Sequence, residues 1–582
     1  MIEFKESKFY KLLQDFFINN NKETFLQMLA EFYNRTEGIL EKDDIQDDLI
    51  KELRDLYLEF NEKGIDENIV REKVNYFLEN NVKIKDILAK LVINTNKIEN
   101  ITSELDTIAI LKPNGVDDTN NIVNILNTQK RIKLLDGVFK VTNIKLTSDV
   151  ELIGSNNTTI ELIGKNGVPC LYGINATNIK ISNINFDGND LDLHGFGVIS
   201  LFNTTNSIIE ECKFNNVFRG LHKGSVAINL EGSSNNIVRR NKITNSGYGI
   251  CVGTRNNDIS IDGQTITILK EANNNIIEYN YIHTTTMDGI FISASLNTEV
   301  TSYRITDNIV RFNEVYYSDD LGIESSRNSD NCLIFGNKVV GSKGANIFVR
   351  GGDKNKVIDN ECYNAKGKYN SYYSGGIAVS SDFGAISKCE IINNICENNI
   401  GEGIMVGVVD ENTIFIDGCK CRNNKIGVHL GVNAKKVKVS NCDITNNEIG
   451  IITKAGTGNV ANHYIKFNSI SSNSVCGAEI RGERNRLVYN EMLYNEVSVK
   501  VGLTSQDNWN SIRYNDFDYC TTAVELSSSG NGNRFMYNNG YDDIKVVIGN
   551  KNNSMINELY VDSATNKLCW NKDGSVKTIN FV

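Results

Sequence analysis

A short unit that recurs from about residue 140 onward is the feature that most restricts the possible folds of this chain. Each copy contains an asparagine among apolar residues, then a polar turn and often a Gly-Ile pair, as in NIVRRNKITNSGYGICVG and IVRFNEVYYSDDLGIESS. Asn313, Asn337 and Asn360 are 24 and 23 residues apart, close to one turn of a β-helix. The repeat therefore predicts a mainly β protein, a parallel β-helix. Its repeated asparagines are Asn241, Asn280, Asn313, Asn337, Asn360, Asn441, Asn468, Asn490, Asn515 and Asn538.

Identical residues at a fixed interval have a physical use in such a solenoid. An asparagine at each bend can hydrogen-bond the backbone and stack on the asparagine of the next turn. The longer interval between Asn241 and Asn280 contains NNDISIDGQTITILKEA, which predicts an inserted loop, and such loops often lie on the working face. A leucine-rich repeat is excluded because its regular leucine consensus is absent.

The first 105 residues have a different pattern, with apolar residues at helical spacing. They predict an all-α stem whose last part steps alternately by four and three residues, as a short coiled coil does. We expect this stem to oligomerise, although a single amphipathic helix packed in its own domain would have a similar pattern. The residues at the coiled-coil spacing are Ile84, Leu88, Leu91, Thr95, Ile98, Thr102 and Leu105.

These patterns divide the chain into four parts. We assign residues 1–105 to the stem, 106–140 to a linker and capping helix, 141–550 to the β-helix, and 551–582 to a C-terminal cap. The last stretch breaks the repeat, and Asp573-Gly574 between two apolar runs is a hairpin signal. A cap is expected because the open edge of a solenoid must be covered.

Composition excludes several classes of function. The formal charge of -11 argues against a nucleic-acid-binding protein, since phosphate recognition needs clustered Lys and Arg. The 13 cysteines are scattered and odd in number, as expected for buried thiols of a protein made in a reducing cytosol, and Cys419 and Cys421 lack the partners of a zinc site. The N-terminus has no uninterrupted apolar core, so we expect it to be neither a signal peptide nor a membrane-spanning segment.

The segment from Ile110 to Leu162 resembles the start of the pectate-lyase-like superfamily, where a G-V-x-D-D-T-like turn precedes a capping helix and a D-G turn leads into the first coil. The resemblance implies a right-handed parallel β-helix. Asp117 or Asp118 is then expected to cap the helix, which makes both acids structural. The matching residues are Gly115, Val116, Asp117, Asp118, Thr119, Asp136 and Gly137.

The stem, with ESKFYKLLQDFFINN, EFYNRTEGI and FNEKGIDENIVREKVNYFLENN, resembles the N-terminal part of tail-fibre and pre-neck appendage proteins of phages that infect Gram-positive cocci. The resemblance implies a homotrimeric tailspike or exopolysaccharide depolymerase, made in the host cytoplasm and located in the virion. Its implied partners are other tail proteins, through the stem, and a host surface polysaccharide: capsule, biofilm exopolysaccharide or wall teichoic acid. The resemblance fixes neither the glycan nor the reaction.

Four acids are the candidate catalytic residues, since glycan cleavage needs an acid and a base on adjacent turns. Aligning the Gly-Ile pairs of IHTTTMDGIFIS and YYSDDLGIESS places Asp288 level with Leu321, just beyond Asp319 and Asp320, with Glu324 one strand position later. Parallel strands lie about 4.8 Å apart, so diagonal carboxylates would be roughly 5 to 8 Å apart. That range includes both retaining and inverting glycosidases. Each acid is also an ordinary turn residue, so a structural role stays open.

The candidate substrate-binding residues lie near these acids in the turn order. Arg350 could bind a sugar carboxylate, and exposed tyrosines could stack on sugar rings, although core packing explains tyrosines equally well. Glu402 shares the level of Asp288 four turns away and is a subsite at most, while His429 and His463 look isolated. The candidate set is His283, Arg350, Tyr316, Tyr317, Tyr372 and Tyr373.

We therefore expect a polysaccharide depolymerase, with hydrolysis favoured over β-elimination because acids cluster and a catalytic Lys or Arg does not. The alternative is a non-catalytic receptor-binding or structural tail protein that grips wall polysaccharide. A cellular epimerase of the same fold is a third reading, against which the stem and the missing export signal count. No cofactor or metal is required, although oxygen-rich acidic turns allow a bound Ca²⁺.

Overall fold

The computed structural model describes residues 108–220, 225–255, 257–296, 303–367, 375–382, 386–407, 413–454, 461–501, 507–526 and 533–539, and four short strands nearer the C-terminus. The predicted helical stem and its coiled coil lie outside the described residues, as do Tyr372 and Tyr373. From Ala109 onward the chain is a right-handed parallel β-solenoid of about 15 turns, which confirms the predicted β-helix.

Most turns of the solenoid contribute one strand to each of three long parallel sheets, here called sheets A, B and C. Sheet A contains Ala109–Leu111, Arg131–Leu134, Glu151–Gly154, Lys180–Ser182, Ile208–Glu210, Ile237–Arg239, Ile276–Glu278, Ile309–Arg311, Leu333–Phe335, Asn355–Ile358, Lys388–Ile392, Thr413–Asp417, Lys438–Ser440, Tyr464–Lys466, Arg486–Val488, Ser511–Arg513 and Arg534–Met536. Its first two strands lie within the segment predicted to be a linker.

Sheet B follows sheet A in each turn. It contains Gly137–Val141, Thr158–Leu162, Asn185–Asp187, Lys213–Asn215, Lys242–Ser246, Tyr281–Thr285, Glu314–Tyr316, Lys338–Val340, Glu361–Tyr363, Ile395–Glu397, Lys420–Arg422, Asp443–Thr445 and Ser469–Ser471. Sheet C contains Ile144–Leu146, Leu171–Ile174, Gly197–Phe202, Val226–Glu231, Tyr248–Gly253, Ile290–Ser293, Ile323–Ser326, Ile347–Arg350, Ile377–Ser380, Glu402–Val406, Ile426–Leu430, Ile449–Thr453, Cys476–Ile480, Val497–Val501, Thr522–Leu526 and Val547–Ile548.

Smaller elements complete the described fold. Ile259–Ile261 and Gln264–Ile266 form an antiparallel hairpin, and Ile305–Thr306 pairs with Ser329–Asp330. Near the C-terminus, Glu558–Asp562, Lys567–Lys572 and Ser575–Thr578 form a three-stranded antiparallel sheet. Its last two strands flank Asp573-Gly574 in the sequence, as the hairpin signal predicts.

A helix, Thr119–Thr128, precedes the first complete turn. Asp117 Oδ1 accepts a hydrogen bond from the Thr119 amide at 2.9 Å, and Asp118 Oδ1 accepts one from the Asn114 amide at 3.0 Å. Asp118 is the N-cap residue, but its side chain makes no capping hydrogen bond, so the predicted cap is not formed. Both acids instead order the turn that leads into the helix. The buried side of the helix carries Ile122 and Leu126.

Alternation of apolar residues along each strand builds the core. In the strand 158–162, Thr158, Ile160 and Leu162 are buried and the two residues between them are not. Isoleucine, valine and leucine fill most inward positions, and described cysteines such as Cys362, Cys396 and Cys421 fill others as free thiols. The expectation of buried, unpaired cysteines is confirmed for the described thiols, all but one of which are buried.

The asparagine ladder lies at the bend between sheets A and B, and Asn313 shows its geometry. Its Oδ1 accepts hydrogen bonds from the backbone amide of Asn280 at 3.0 Å and from its Nδ2 at 2.9 Å. Its own Nδ2 donates to the Ile277 carbonyl at 2.9 Å and to Asn337 Oδ1 at 3.0 Å. Each asparagine thus satisfies backbone groups of its neighbours and holds two turns in register.

The ladder differs from the prediction at two places. Asn441 is not a member: it has a positive φ of 54° at the exposed side of the bend, and Cys442 occupies the ladder position, its amide donating to Asn468 Oδ1 at 2.9 Å. Asn394, absent from the predicted set, is a member: its Oδ1 accepts a hydrogen bond from Asn360 Nδ2 at 3.0 Å, and its own Nδ2 donates to Cys419 Sγ at 3.9 Å. Two further ladders were also missed. The ladder at the bend between sheets B and C contains Asn399, Asn424, Asn447, Asn473 and Asn495. The ladder at the bend between sheets C and A contains Asn236, Asn275 and Asn308, and later Asn485, Asn510 and Asn533.

The inserted hairpin covers part of the outer face of sheet C in the first turns. Asp262, at its tip, accepts a hydrogen bond from the Tyr172 hydroxyl at 2.8 Å, and Lys145 Nζ donates to Gln264 Oε1 at 3.1 Å. Tyr172 and Lys145 are on sheet C. The long interval in the repeat therefore does mark an insertion, and it lies on the sheet that carries Asp288.

We predict that Asn313→Ala lowers the free energy of unfolding by roughly 2 to 4 kcal/mol, because it leaves the buried Asn280 amide and the Ile277 carbonyl without their partners. Thermal melting followed by circular dichroism measures the effect. Asn156→Ala is the control, since Asn156 is an exposed asparagine outside the ladders. Equal melting temperatures for the two variants would contradict a stabilising ladder.

Candidate functional site

The strand register of sheet C places the predicted acids relative to one another. Ile290 pairs with Ile323, so Asp288 is level with Leu321, and Phe291 is level with Glu324. The alignment of Gly-Ile pairs in the sequence predicts this register, which the structure confirms. Asp288 comes just before the strand Ile290–Ser293, and Glu324 is on the outer side of the next strand, so the two acids approach each other diagonally.

Asp288 is almost completely buried, with 3% of its surface exposed. Its Oδ1 accepts a hydrogen bond from the Leu321 amide at 3.0 Å, and its carboxyl group also hydrogen-bonds that of Glu324. Burial, with the nearby charges of Glu324 and Asp320, raises the pKa of Asp288 well above its usual range. Asp288 therefore holds a proton at a pH where an exposed aspartate is ionised.

Glu324 has the same burial but different neighbours. Burial raises its pKa, while the guanidinium groups of Arg350 and Arg327 act in the opposite direction. Arg350 Nη1 is 4.0 Å from Glu324 Oε1. Within the pair, Glu324 is therefore the carboxyl that ionises first, and Asp288 is the one that keeps the proton.

Aromatic rings position both arginines. The Arg327 guanidinium lies 5.9 Å from the centre of the Phe291 ring, and that of Arg350 lies 5.7 Å from Phe348. Such cation–π contacts hold a guanidinium without neutralising its charge. Two guanidinium groups thus lie beside the carboxyl pair.

The structure separates the two adjacent aspartates. Asp320 contributes negative charge at Asp288 and Glu324, so it belongs to the same cluster. Asp319 instead forms an ion pair with Lys343, at 2.8 Å between Oδ1 and Nζ, and its side chain is 38% exposed. Of the four predicted acids, Asp288, Glu324 and Asp320 come together, and Asp319 faces Lys343.

His283, Tyr316 and Tyr317 gather in a different place, on the outer face of sheet B and its following bend. The His283 ring centre is 5.2 Å from that of Tyr317 and 6.2 Å from that of Tyr316. Tyr281 joins them at 5.5 Å from Tyr316. Tyr281 and Tyr317 are 36% and 49% exposed, so this group, here called the aromatic patch, is open to solvent.

Two residues of the carboxyl cluster were missed by the sequence reasoning. Tyr248 is level with Asp288 on the preceding turn, because Ile250 pairs with Ile290, and burial with the charge of Asp288 raises the pKa of its phenol. The Gly-Ile pair of YGICVG would have identified it by the same alignment. Arg327 had no such signal, since it follows its strand in a turn where the repeat has no consensus.

The cluster can donate and accept a proton within one small volume. A hydrogen-bonded carboxyl pair supplies a neutral acid in Asp288 and a carboxylate in Glu324. Arg327 and Arg350 add charges suited to an anionic sugar.

Among the residues that the structure describes, no group of three or more His, Cys, Asp or Glu side chains is arranged to hold a metal ion. Calcium binding thus stays a prediction from the acidic turns. In the same described residues, no helix is long and apolar enough to span a membrane.

We predict that Asp288→Asn raises the melting temperature at pH 7 and leaves it unchanged near pH 3. A carboxyl whose pKa is raised on folding destabilises the folded state as pH rises from the unfolded pKa, roughly 3.9, toward the folded one. Asparagine imitates the protonated side chain and does not ionise. The melting temperatures of the natural chain and of Asp288→Asn, measured at a series of pH values, should therefore converge in acid and separate as the pH rises.

Asp319→Asn is the control for this pH series, because it changes an exposed carboxylate paired with Lys343 on the adjacent turn. The melting temperature of Asp319→Asn should not rise at neutral pH as that of Asp288→Asn does. If the melting temperatures of the natural chain and of Asp288→Asn differed by the same amount at every pH, the result would contradict a proton held at Asp288.

Comparison with known proteins supports the fold. The sequence profile of a family described as right handed beta helix region matches residues 221–362. None of the curated proteins compared matches the chain.

Several solved structures are similar to the chain at low identity. The A-module of mannuronan C-5 epimerase AlgE4 from Azotobacter vinelandii has 13% identity and a TM-score of 0.35, over 72% of this chain and 96% of that one. Tailspike protein 3 of bacteriophage CBA120 has 13% identity and a TM-score of 0.37, over 82% and 70%. An exopolygalacturonase from Thermotoga maritima has 14% identity and a TM-score of 0.38, over 63% and 88%.

Proposed function

We propose that this protein binds a surface polysaccharide of a bacterial host and cleaves its glycosidic bonds, as part of a phage tail. The observation that carries the enzymatic part is the buried Asp288–Glu324 pair on the outer face of sheet C, flanked by Arg327 and Arg350. Acid–base cleavage of a glycoside needs one protonated and one ionised carboxyl group, and this pair can supply both.

In this proposal Asp288 is the general acid, because burial keeps it protonated and a leaving glycosidic oxygen needs a proton. Glu324 is the base or nucleophile, since Arg327 and Arg350 favour its ionised form. Asp320 helps to keep the proton on Asp288. Hydrolysis is preferred to β-elimination, since the cluster contains three carboxyl groups and its arginines face Glu324.

The positive charge of the site suggests which class of polymer it binds. Arg327 and Arg350 place two guanidinium groups beside Glu324, and guanidinium groups are suited to carboxylates and phosphates. An anionic polymer such as a uronate-containing capsule or a wall teichoic acid suits this arrangement better than a neutral glucan.

The phage-tail location, the trimer and attachment through residues 1–105 are also proposals. They rest on the resemblance of ESKFYKLLQDFFINN and the following stem to tail appendage proteins. Electron microscopy of virions labelled by an antibody against residues 108–582 would test the location directly.

A second candidate function is glycan binding without cleavage. Asp288 and Glu324 are only 3% and 5% exposed, whereas the aromatic patch around His283 and Tyr316 is open to solvent. Exposed aromatic side chains offer apolar faces with polar edges, which suits sugar rings. In this reading the carboxyl pair is a structural element and the patch is the receptor site.

We predict that purified protein releases reducing ends from host exopolysaccharide or wall polymer, and that Asp288→Asn and Glu324→Gln each lower the rate by at least about 100-fold, as expected on loss of a general acid or base. Reducing ends and the absorbance of unsaturated uronates are followed together. Reducing ends alone indicate hydrolysis, and unsaturated products indicate β-elimination.

The matched control is Glu390→Gln, which changes a carboxylate on sheet A that pairs with Lys388 on the surface. It should cleave at the rate of the natural chain. Folded protein that binds these polymers but releases no product from any of them would reject the enzymatic proposal for these substrates and favour the receptor-binding function.

We further predict that Tyr281→Ala and Tyr316→Ala together weaken polymer binding by roughly tenfold if the aromatic patch is the receptor site, because two ring contacts are lost. Binding to immobilised host polymer measures this effect. The comparison is the Asp288→Asn/Glu324→Gln double variant, which should bind like the natural chain under the same hypothesis. The opposite pattern would place binding at the carboxyl pair.

A further inference from the structure

The outer face of sheet A changes its charge along the solenoid. In the early turns its cations are paired, since Glu151 forms ion pairs with both Arg131 and Lys180. The last five described strands of the sheet, from Lys438–Ser440 to Arg534–Met536, contain no Asp or Glu. Each of these strands instead has one Lys or Arg at an outward position. These residues, here called the cationic row, are Lys438, Lys466, Arg486, Arg513 and Arg534.

The strand register gives the cationic row a zigzag arrangement. The first, third and fifth cations share one outward position, where Tyr464 and Ser511 separate them. The second and fourth share the other outward position, where Val488 separates them. No two cations of the row are therefore directly opposite each other, an arrangement that would be destabilising. One positive side chain follows another at every turn, about 4.8 Å further along the solenoid.

The cationic row has few ionic partners and is open to solvent. Within the part of the chain that the structure describes, no carboxylate forms an ion pair with Lys438, Lys466, Arg486 or Arg513. Lys466 Nζ lies 5.1 Å from the centre of the Phe467 ring, a contact that positions an ammonium group without neutralising it. Lys438 and Arg486 are exposed, and the other three cations are half-buried. A polyanion can therefore reach the row from outside.

Stacked aromatic rings border the cationic row on one side, at the bend from sheet A into sheet B. The ring centres of Phe467, Tyr489, Tyr514 and Tyr537 are successively 5.5, 4.9 and 5.1 Å apart. These four residues, here called the aromatic wall, are 43% to 70% exposed. The hydroxyl groups of Tyr489 and Tyr514 take part in no hydrogen bond among the described residues. The wall therefore offers apolar ring surface and phenol groups along the length of the row.

The backbone of the aromatic wall disfavours the residues that stand there. All four have φ between 54° and 56°, in the left-handed region that aromatic residues rarely adopt. The three preceding turns have Asn393, Gly418 and Asn441 at the same place in the bend. Four successive aromatic residues thus cost stability that asparagine or glycine would not. A strained conformation that persists over four turns indicates a role for the exposed rings.

The row and the wall together define the class of ligand. One cation at every turn, about 4.8 Å apart, fits an extended polymer that has one anionic group on each sugar residue. The C–H groups of a sugar ring can pack on the aromatic rings, and its hydroxyl groups can hydrogen-bond to the phenols. Nucleic acids are charged more densely, with one charge per about 1.7 Å of duplex axis. They would also extend beyond five turns onto a protein whose formal charge is -11.

We infer that the cationic row and the aromatic wall form a second polysaccharide-binding surface, which holds an anionic polymer along sheet A with one carboxylate or phosphate at each turn. The inference rests on the proposed function in taking the ligand to be a surface polysaccharide. It adds a site on a different sheet from the Asp288–Glu324 pair, so binding at this surface does not require cleavage.

The test measures the affinity of full-length protein for polygalacturonate, which has one carboxylate on each sugar residue, by calorimetry at several salt concentrations. The protein carries Asp288→Asn, which stops cleavage under the proposed function. Wall teichoic acid supplies the phosphate polymer, and methyl-esterified polygalacturonate is the uncharged comparison. We expect the anionic polymers to bind with an affinity that falls as salt rises, and the ester to bind at least about tenfold more weakly.

Two double variants, each checked for folding by circular dichroism, separate charge from ring contacts. Lys466→Gln/Arg513→Gln should lower the affinity for polygalacturonate roughly tenfold at low salt and make it less dependent on salt. Tyr489→Asn/Tyr514→Asn should lower the affinity by a similar factor, roughly tenfold, without changing its salt dependence, because the lost contacts are not ionic. Asparagine suits the positive φ of this bend, so the second variant should also keep its fold.

The matched control is Arg131→Gln/Lys180→Gln, which removes two cations from the same sheet in turns where Glu151 pairs with them. This variant should bind polygalacturonate like the parent protein. Equal losses of affinity in the control and in Lys466→Gln/Arg513→Gln would mean that overall charge, and not the cationic row, governs binding, and would overturn the inference.

The remaining outcomes separate this surface from the proposed function. Unchanged affinity in both folded double variants, or no binding of either anionic polymer, would overturn the surface and leave cleavage of host polymer to its own assay. Tighter binding of a single-stranded DNA oligonucleotide than of polygalacturonate, lost in the same variants, would overturn the glycan assignment. Binding that depends on the row and the wall, with no cleavage by the natural chain, would support the surface and reject only the catalytic role of Asp288 and Glu324.

Discussion

The structure depends on hydrogen bonds between successive turns at the bends, where the strands stop. A parallel solenoid leaves backbone amides and carbonyls at each corner that no strand can satisfy, and each must find a partner if buried. The side-chain amide of asparagine has one acceptor and two donors, so Asn313 serves the turn before it and the turn after it at once. The same arrangement, repeated along three corners, holds the sheets in register.

That register decides where chemistry can occur. Because each turn places equivalent residues about 4.8 Å apart on the same face, a polar residue at one position meets its diagonal neighbour on the next turn. Asp288 with Glu324 and Glu402 with His429 are two products of this rule. The inserted hairpin at Asp262 covers the first turns of sheet C, so both pairs lie beyond it.

Much of the fold could be predicted from sequence, because each turn of the solenoid repeats the same kinds of contact. The spacing of Asn313, Asn337 and Asn360 indicates the turn length, and the Gly-Ile pairs give the register of sheet C correctly. The prediction is wrong where another residue satisfies the same backbone group: Cys442 occupies the ladder beside Asn441, since a small thiol also fits the corner. The other two ladders were missed because their asparagines stand in turns where asparagine is common anyway.

The sequence by itself determined the class of fold and the acids that come close together, since both follow from a linear repeat. The tertiary structure decided the rest. It separated Asp319, which pairs with Lys343, from Asp320, and it placed His283 and Tyr316 on sheet B, away from the carboxyl pair. It also brought Arg327 beside Glu324 and His429 beside Glu402. Burial, charge and the direction of a side chain depend on residues from several turns, and no one stretch of sequence contains them.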